Sequence, residues 1–180
     1  AVGHFQRIAA VVPDSPVAAT GQHDAAALLF NAGAWTRAAE AYEGFLASWP
    51  GHELAAEAQV SLAAALVELG DATRAAPALA AVSTLPGETE DVRRAALWQA
   101  AELYRESGDD ARAEQTLRDY LERFPAPAEP ALEARHRLAE LAGKRNDAPE
   151  RRRWLESIIQ AHADAGADAT ARSLTLAAAA

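Results

Sequence analysis

The chain has 180 residues, half of them hydrophobic but only 6% aromatic, and a formal net charge of −9. Much of the apolar half is Ala, the best helix former, while Val, Ile and Thr are sparse, so the predicted fold class is all-α with close packing through small side chains. The acidic balance excludes a sequence-independent nucleic-acid binder, which needs a basic face to release phosphate counterions, and it disfavours an anionic membrane surface.

Without Cys there is neither a disulfide framework nor thiolate chemistry, although this leaves the compartment open. No apolar run approaches the roughly 18 to 20 residues of a membrane-spanning helix, which argues against membrane insertion, and no signal peptide is visible. Met is absent, Lys occurs once at Lys144 and the other cations are Arg. With the excess of Ala, this composition suggests a high-GC bacterial source.

The predicted elements repeat. Gly33, Gly70 and Gly108, with Asn146 at the next step, recur at spacings of 37, 38 and 38. Gly, and Asn after it, suits a left-handed helix C-cap. Asp71, Asp109 and Asp147 follow directly, placed to cap the next helix, and Ala34 is the exception.

In chain order, residues 1–13 fit the second helix of a repeat whose first helix would precede residue 1, with Phe5 and Ile8 at its apolar positions and Pro13 closing it. Four helix pairs then follow at 17–50, 52–87, 88–125 and 129–164. In the first helix of each pair, Leu29, Leu66 and Tyr104 stand four before the anchor, and Ala26, Ala63, Ala101 and Ala139 stand seven before it. In the second helices, Ala38, Ala75 and Ala113 stand five after it, with Arg151 breaking the pattern. Tyr42 with Phe45, Leu79 with Val82, Leu117 with Tyr120, and Leu155 with Ile158 keep one face apolar. Pro50, Pro86 and Pro125 close these helices. Pro77 falls inside one, predicting a kink or a delayed start. Residues 167–180 read as a final helix covering the last pair, as a solenoid end needs.

The order of large apolar, small, aromatic, Gly, Ala, aromatic and Pro, carried by LWQAAELYRESGDDARAEQTLRDYLERFP at residues 97–125, resembles the tetratricopeptide repeat. The period here is longer than that family's, with the extra residues around the Pro linkers. This longer form is similar to bacterial cell-envelope members: the periplasmic Tol-Pal-associated repeat protein and the lipoprotein of the outer-membrane assembly machinery. The resemblance implies an α-solenoid of antiparallel helix pairs, wound right-handed, with the first helix of each pair lining a concave surface. It further implies the inward-facing positions. These are His23, Phe30 and Asn31 in the first pair; Glu57, Val60, Val67 and Glu68 in the second; Trp98, Glu102 and Arg105 in the third; and His136 and Glu140 in the fourth. Trp98 stands out, because Leu97 already fills the core position and an accessible Trp is a common interface anchor.

No catalytic constellation is legible. His4, His23, His52, His136 and His162 never take the spacing of a zinc-protease helix, and no phosphate loop, nucleophile elbow or dinucleotide fingerprint occurs. Carboxylates such as Glu53, Glu57 and Glu68 are spaced as a solvated helix face. The run Arg151, Arg152, Arg153 and Trp154 invites an acidic-partner reading, offset by Asp147 and Glu150 at the same helix start. No metal or cofactor is needed to account for any feature. The expected function is a non-catalytic scaffold or adaptor holding a peptide or protein partner in its groove, within a periplasmic or envelope-associated bacterial assembly. Two other readings are an accessory arm of an envelope enzyme whose catalytic domain precedes residue 1, and a self-association module forming a homo-oligomer.

Overall fold

The computed structural model describes residues 16–126 and 128–164. The expected leading helix at 1–13 and closing helix at 167–180 lie outside those residues. Among the described residues there are eight α-helices and no strand: α1 Pro16–Asn31, α2 Trp35–Ser48, α3 Ala55–Leu69, α4 Ala72–Val82, α5 Glu90–Glu106, α6 Asp110–Arg123, α7 Ala128–Lys144 and α8 Ala148–Asp164. The fold class is all-α, of the helical-repeat α-solenoid kind. The helices fall into two compact units that divide between Ser107 and Gly108.

The turns follow from the anchor residues. Gly33, Gly70 and Gly108 have φ of +69°, +73° and +79°, and Asn146 takes 57° in the same left-handed region. That conformation lets the amide after each anchor reach back to close the helix. Ala34 N donates to Leu29 O at 3.0 Å, Asp71 N to Leu66 O at 3.1 Å and Asp147 N to Ala142 O at 2.9 Å. The anchor amides of Gly33, Gly70 and Asn146 donate one turn inside, to Phe30, Val67 and Gly143, completing Schellman caps that satisfy otherwise orphaned carbonyls. Asp71, Asp109 and Asp147 then accept from the amides of Arg74, Arg112 and Glu150 at 3.1–3.2 Å, opening α4, α6 and α8. Ala34 has no side chain to do this for α2.

In the first unit, α1 packs on α2, α2 on α3, α3 on α4 and α4 on α5, and α1 also touches α3. Tyr42, Phe45, Leu66 and Leu79 sit in one continuous core with many Ala, among them Ala38 and Ala75, which are no more than 1% exposed. These small residues let the helices approach, and each fully buried large side chain contributes about 1.5–3 kcal/mol. Gln59 Nε2 reaches across to the backbone of α4 at Ala78 O, 3.0 Å away. Pro77 lies in the second turn of α4, which nonetheless starts at Ala72. The start is therefore not delayed; α4 is the shortest of the eight helices, at 11 residues, and its Pro ring faces solvent.

In the second unit, α6 packs on α7 and α7 on α8. Leu117, Tyr120, Leu138, Leu141 and Ile158 are all buried. Arg118 on α6 donates to Glu114 at 2.9 Å and also to Glu150 on α8, and its guanidinium lies 5.1 Å over the Trp154 ring. The equivalent pair in the first unit is Glu43 on α2 with Arg74 on α4, at 2.8 Å. The same two repeat positions thus carry opposite charge order in the two units.

Candidate partner-binding groove

Because α3 and α5 both pack on α4, a trough opens between them. Its α3 wall is Val60, Ala63, Ala64, Val67 and Glu68; its α5 wall is Val92, Ala95, Ala96 and Gln99; Leu79 and Val82 of α4 form the floor. The volume is about 360 Å³, within the range of sites that take a side chain or small ligand. The walls are helical stripes: Val60, Ala64 and Val67 lie at steps of four and three, and so do Val92, Ala95 and Gln99 at three and four. Val92 is 39% exposed, an apolar side chain left facing water.

Of the residues expected to face a partner, Val60, Val67 and Glu68 are brought together here. Trp98, Glu102 and Arg105 are on α5 but are not among the walls. Trp98 is half-buried, and Arg105 donates to Glu102 at 2.7 Å. On α1, Asn31 is exposed, while the Phe30 ring meets Trp35 edge-on with centroids 5.1 Å apart. His23 is only 5% exposed; its ring packs edge-on against Tyr42 and Phe45, and Nε2 lies 3.9 Å from Glu57 Oε1 without a hydrogen bond. Such a side chain is not presented to a partner in this conformation. Close by, burial pushes the Tyr42 hydroxyl above its ordinary value; a hydrogen bond with Ser61 opposes this, and the charge of Glu57 adds to it.

In the second unit His136 is half-buried, and Glu140 is exposed and accepts from Arg137 at 3.2 Å. At the Arg-rich start of α8, Arg152 and Arg153 are exposed and Arg151 is half-buried. Trp154 Nε1 donates to Glu150 at 3.1 Å, Arg152 pairs with Glu156, and the Arg151 side chain crosses close to Gly143. Burial alone would pull the Arg118 guanidinium down, but its bonds to Glu114 and Glu150 outweigh that and raise it.

Sequence reasoning missed Val92 and Gln99. They lie on the edge of α5 that faces α3, beside the stripe that the repeat resemblance marks as inward. The available signal was Val92, an aliphatic residue outside every core position. Among the described residues no group of three or more His, Asp or Glu is placed to hold a metal ion. His52 Nδ1 accepts from Leu54 N at 3.2 Å, which places it in the turn leading into α3.

Residues 95–126 match the family model described as tetratricopeptide repeat. The chain is thus a helical-repeat protein carrying a tetratricopeptide motif, a module that is generally a non-catalytic protein-interaction scaffold. No curated protein matches it. Among solved structures it is similar to the nearly identical TPR-like repeats of a kinesin light chain-like protein from Podosopora anserina, at 21% identity over 92% of this chain and 86% of that one, TM-score 0.48. It is also similar to MamA, residues 41 to the end, from Desulfovibrio magneticus RS-1, at 14% identity over 91% of this chain and 84% of that one, TM-score 0.47.

Proposed function

We propose that the chain is a non-catalytic adaptor that holds a segment of another protein in the trough between α3 and α5, as part of a bacterial cell-envelope assembly. The observation that carries this reading is the trough itself: two helical stripes of aliphatic side chains, open to solvent and floored by Leu79 and Val82, on a module whose usual work is holding proteins. Isolated apolar side chains at a surface are ordinary, but a contiguous apolar trough with a polar edge marks an interaction site. The envelope setting is supported by the long period, with spacings of 37, 38 and 38 between anchors, and by the linkers around Pro50 and Pro125 that resemble periplasmic repeat proteins.

Affinity capture tests it. The protein is immobilised and offered envelope and cytosolic extracts of the organism that encodes it, in parallel, with retained proteins identified by mass spectrometry. The adaptor reading expects a discrete protein retained from the envelope extract and competed by free protein. Retention only from cytosol would remove the envelope setting, and retention of nothing beyond the protein itself would replace the adaptor by self-association.

A further inference from the structure

We infer that the trough selects a partner segment presenting an aliphatic side chain with a Lys or Arg beside it, the aliphatic group filling the space between α3 and α5 and the cation meeting Glu68. The inference deepens the adaptor reading and rests on it.

The apolar half follows from the walls. Val60, Val67, Val92, Leu79 and Val82 offer only hydrocarbon, and a volume of about 360 Å³ accommodates a branched side chain with its neighbouring backbone. Glu68 is the one charged residue in the lining.

Three observations make Glu68 a receptor for a cation. Among the described residues it makes no ion pair, whereas Glu43, Glu102, Glu114 and Glu150 each hold an Arg. It also sits in the last turn of α3, where the exposed carbonyls already place negative charge and no basic residue offsets it. An anion at that end is unfavourable, and a partner cation placed there would meet both the carboxylate and the helix end. Finally, the surroundings are short of free cations. Neither α1 nor α3 contains Lys or Arg, and Arg37, the one cation of α2, is not among the walls. Arg74, the sole cation of α4, is held by Glu43 and Asp71. On α5, Arg94 is held by Glu90 and Asp91, Arg105 is held by Glu102, and half-buried Arg93 is not among the walls.

The same charge argues against a second copy of this chain as the occupant. A copy arrives with a net charge of −9, which opposes its approach to an acidic trough. A stable dimer also needs roughly 1,200–2,000 Å² of buried surface, far more than one trough supplies.

The test uses a phage-displayed library of random dodecapeptides, selected separately against the protein and its Glu68→Lys variant. Glu68 is exposed and unpaired, so the variant is expected to fold, and a Glu40→Lys variant on the exposed side of α2 controls for general charge. Peptides enriched on the parent are expected to combine Leu, Ile or Val with a nearby Lys or Arg. Their affinity is expected to fall about 5- to 10-fold on Glu68→Lys and little on Glu40→Lys, and to weaken with salt. In amide NMR spectra they are expected to shift Ala64, Val67, Glu68, Ala95 and Gln99. Enrichment of acidic peptides, equal binding to both charge variants, shifts confined to other helices, or no enrichment at all would each overturn the inference. The adaptor reading fails separately: an envelope protein captured by the parent and equally by Glu68→Lys leaves the adaptor standing and removes only this selectivity.

Discussion

Ala34 occupies a capping position without a cap, and Ala34→Asp is expected to stabilise the first unit. Its backbone, at φ −85° and ψ 61°, is nearly that of two of the Asp caps, at −84° and 76° for Asp71 and −83° and 65° for Asp109. An Asp there would find the Arg37 amide where Asp71 finds that of Arg74 and Asp109 that of Arg112. Ala34 is half-buried, and so are Asp71, Asp109 and Asp147, so the desolvation cost is already tolerated at equivalent sites. A good N-cap over Ala is worth about 1 kcal/mol, within 0.5–2, and the negative charge adds a few tenths against the positive helix end. For a chain of this size, 1 kcal/mol raises Tm by about 2–4 °C. Urea and thermal unfolding followed by far-UV circular dichroism would measure it, with Asp71→Ala as the reverse substitution in the same unit. A neutral or destabilising Ala34→Asp, alongside an Asp71→Ala that loses about 1 kcal/mol, would refute the equivalence of the repeat positions.

Other expectations follow from single positions. Pro77→Ala removes an exposed Pro from the second turn of α4 and restores an amide that can bond to the Thr73 carbonyl, so a gain of about 1–3 kcal/mol is expected in urea unfolding. Gly70→Ala meets no neighbour within 4 Å yet must hold φ at +73°, so it is expected to cost about 1 kcal/mol by conformation alone, while Asn146→Gly is expected to stabilise slightly. Because burial raises the Tyr42 hydroxyl above its ordinary value of 10.0, stability is fully present below that pH and is lost as pH climbs through the higher folded value. Tyr42→Phe is expected to flatten that alkaline limb, as read from the pH dependence of the urea midpoint, while lowering neutral-pH stability by about 1 kcal/mol through the lost Ser61 bond.

Caps and core were legible because each is fixed within one repeat. Gly70 and Asp71 terminate and restart helices by their own chemistry, and Tyr42, Phe45, Leu117 and Tyr120 are buried by the spacing that places them on one face. What lay between helices was not legible. The trough needs the rotation of α5 relative to α3, which sets Val92 and Gln99 against Val60 and Val67. The burial of His23 depends on Tyr42 and Phe45 from the next helix closing over it. At the start of α8, Glu150 and Trp154 are bound to Arg118, which is 32 residues before Glu150, a contact that no reading within one repeat supplies.

The central claim is that the trough between α3 and α5 is where another protein is held. Photo-crosslinking in cells of the encoding organism addresses it most directly, with a photoreactive residue placed in turn at Ala64 and Gln99 on the two walls and at exposed Glu40 on α2. Discrete adducts with the same protein are expected from Ala64 and Gln99 and none from Glu40. A discrete adduct from Glu40 with none from either wall would place the interaction elsewhere and contradict the account.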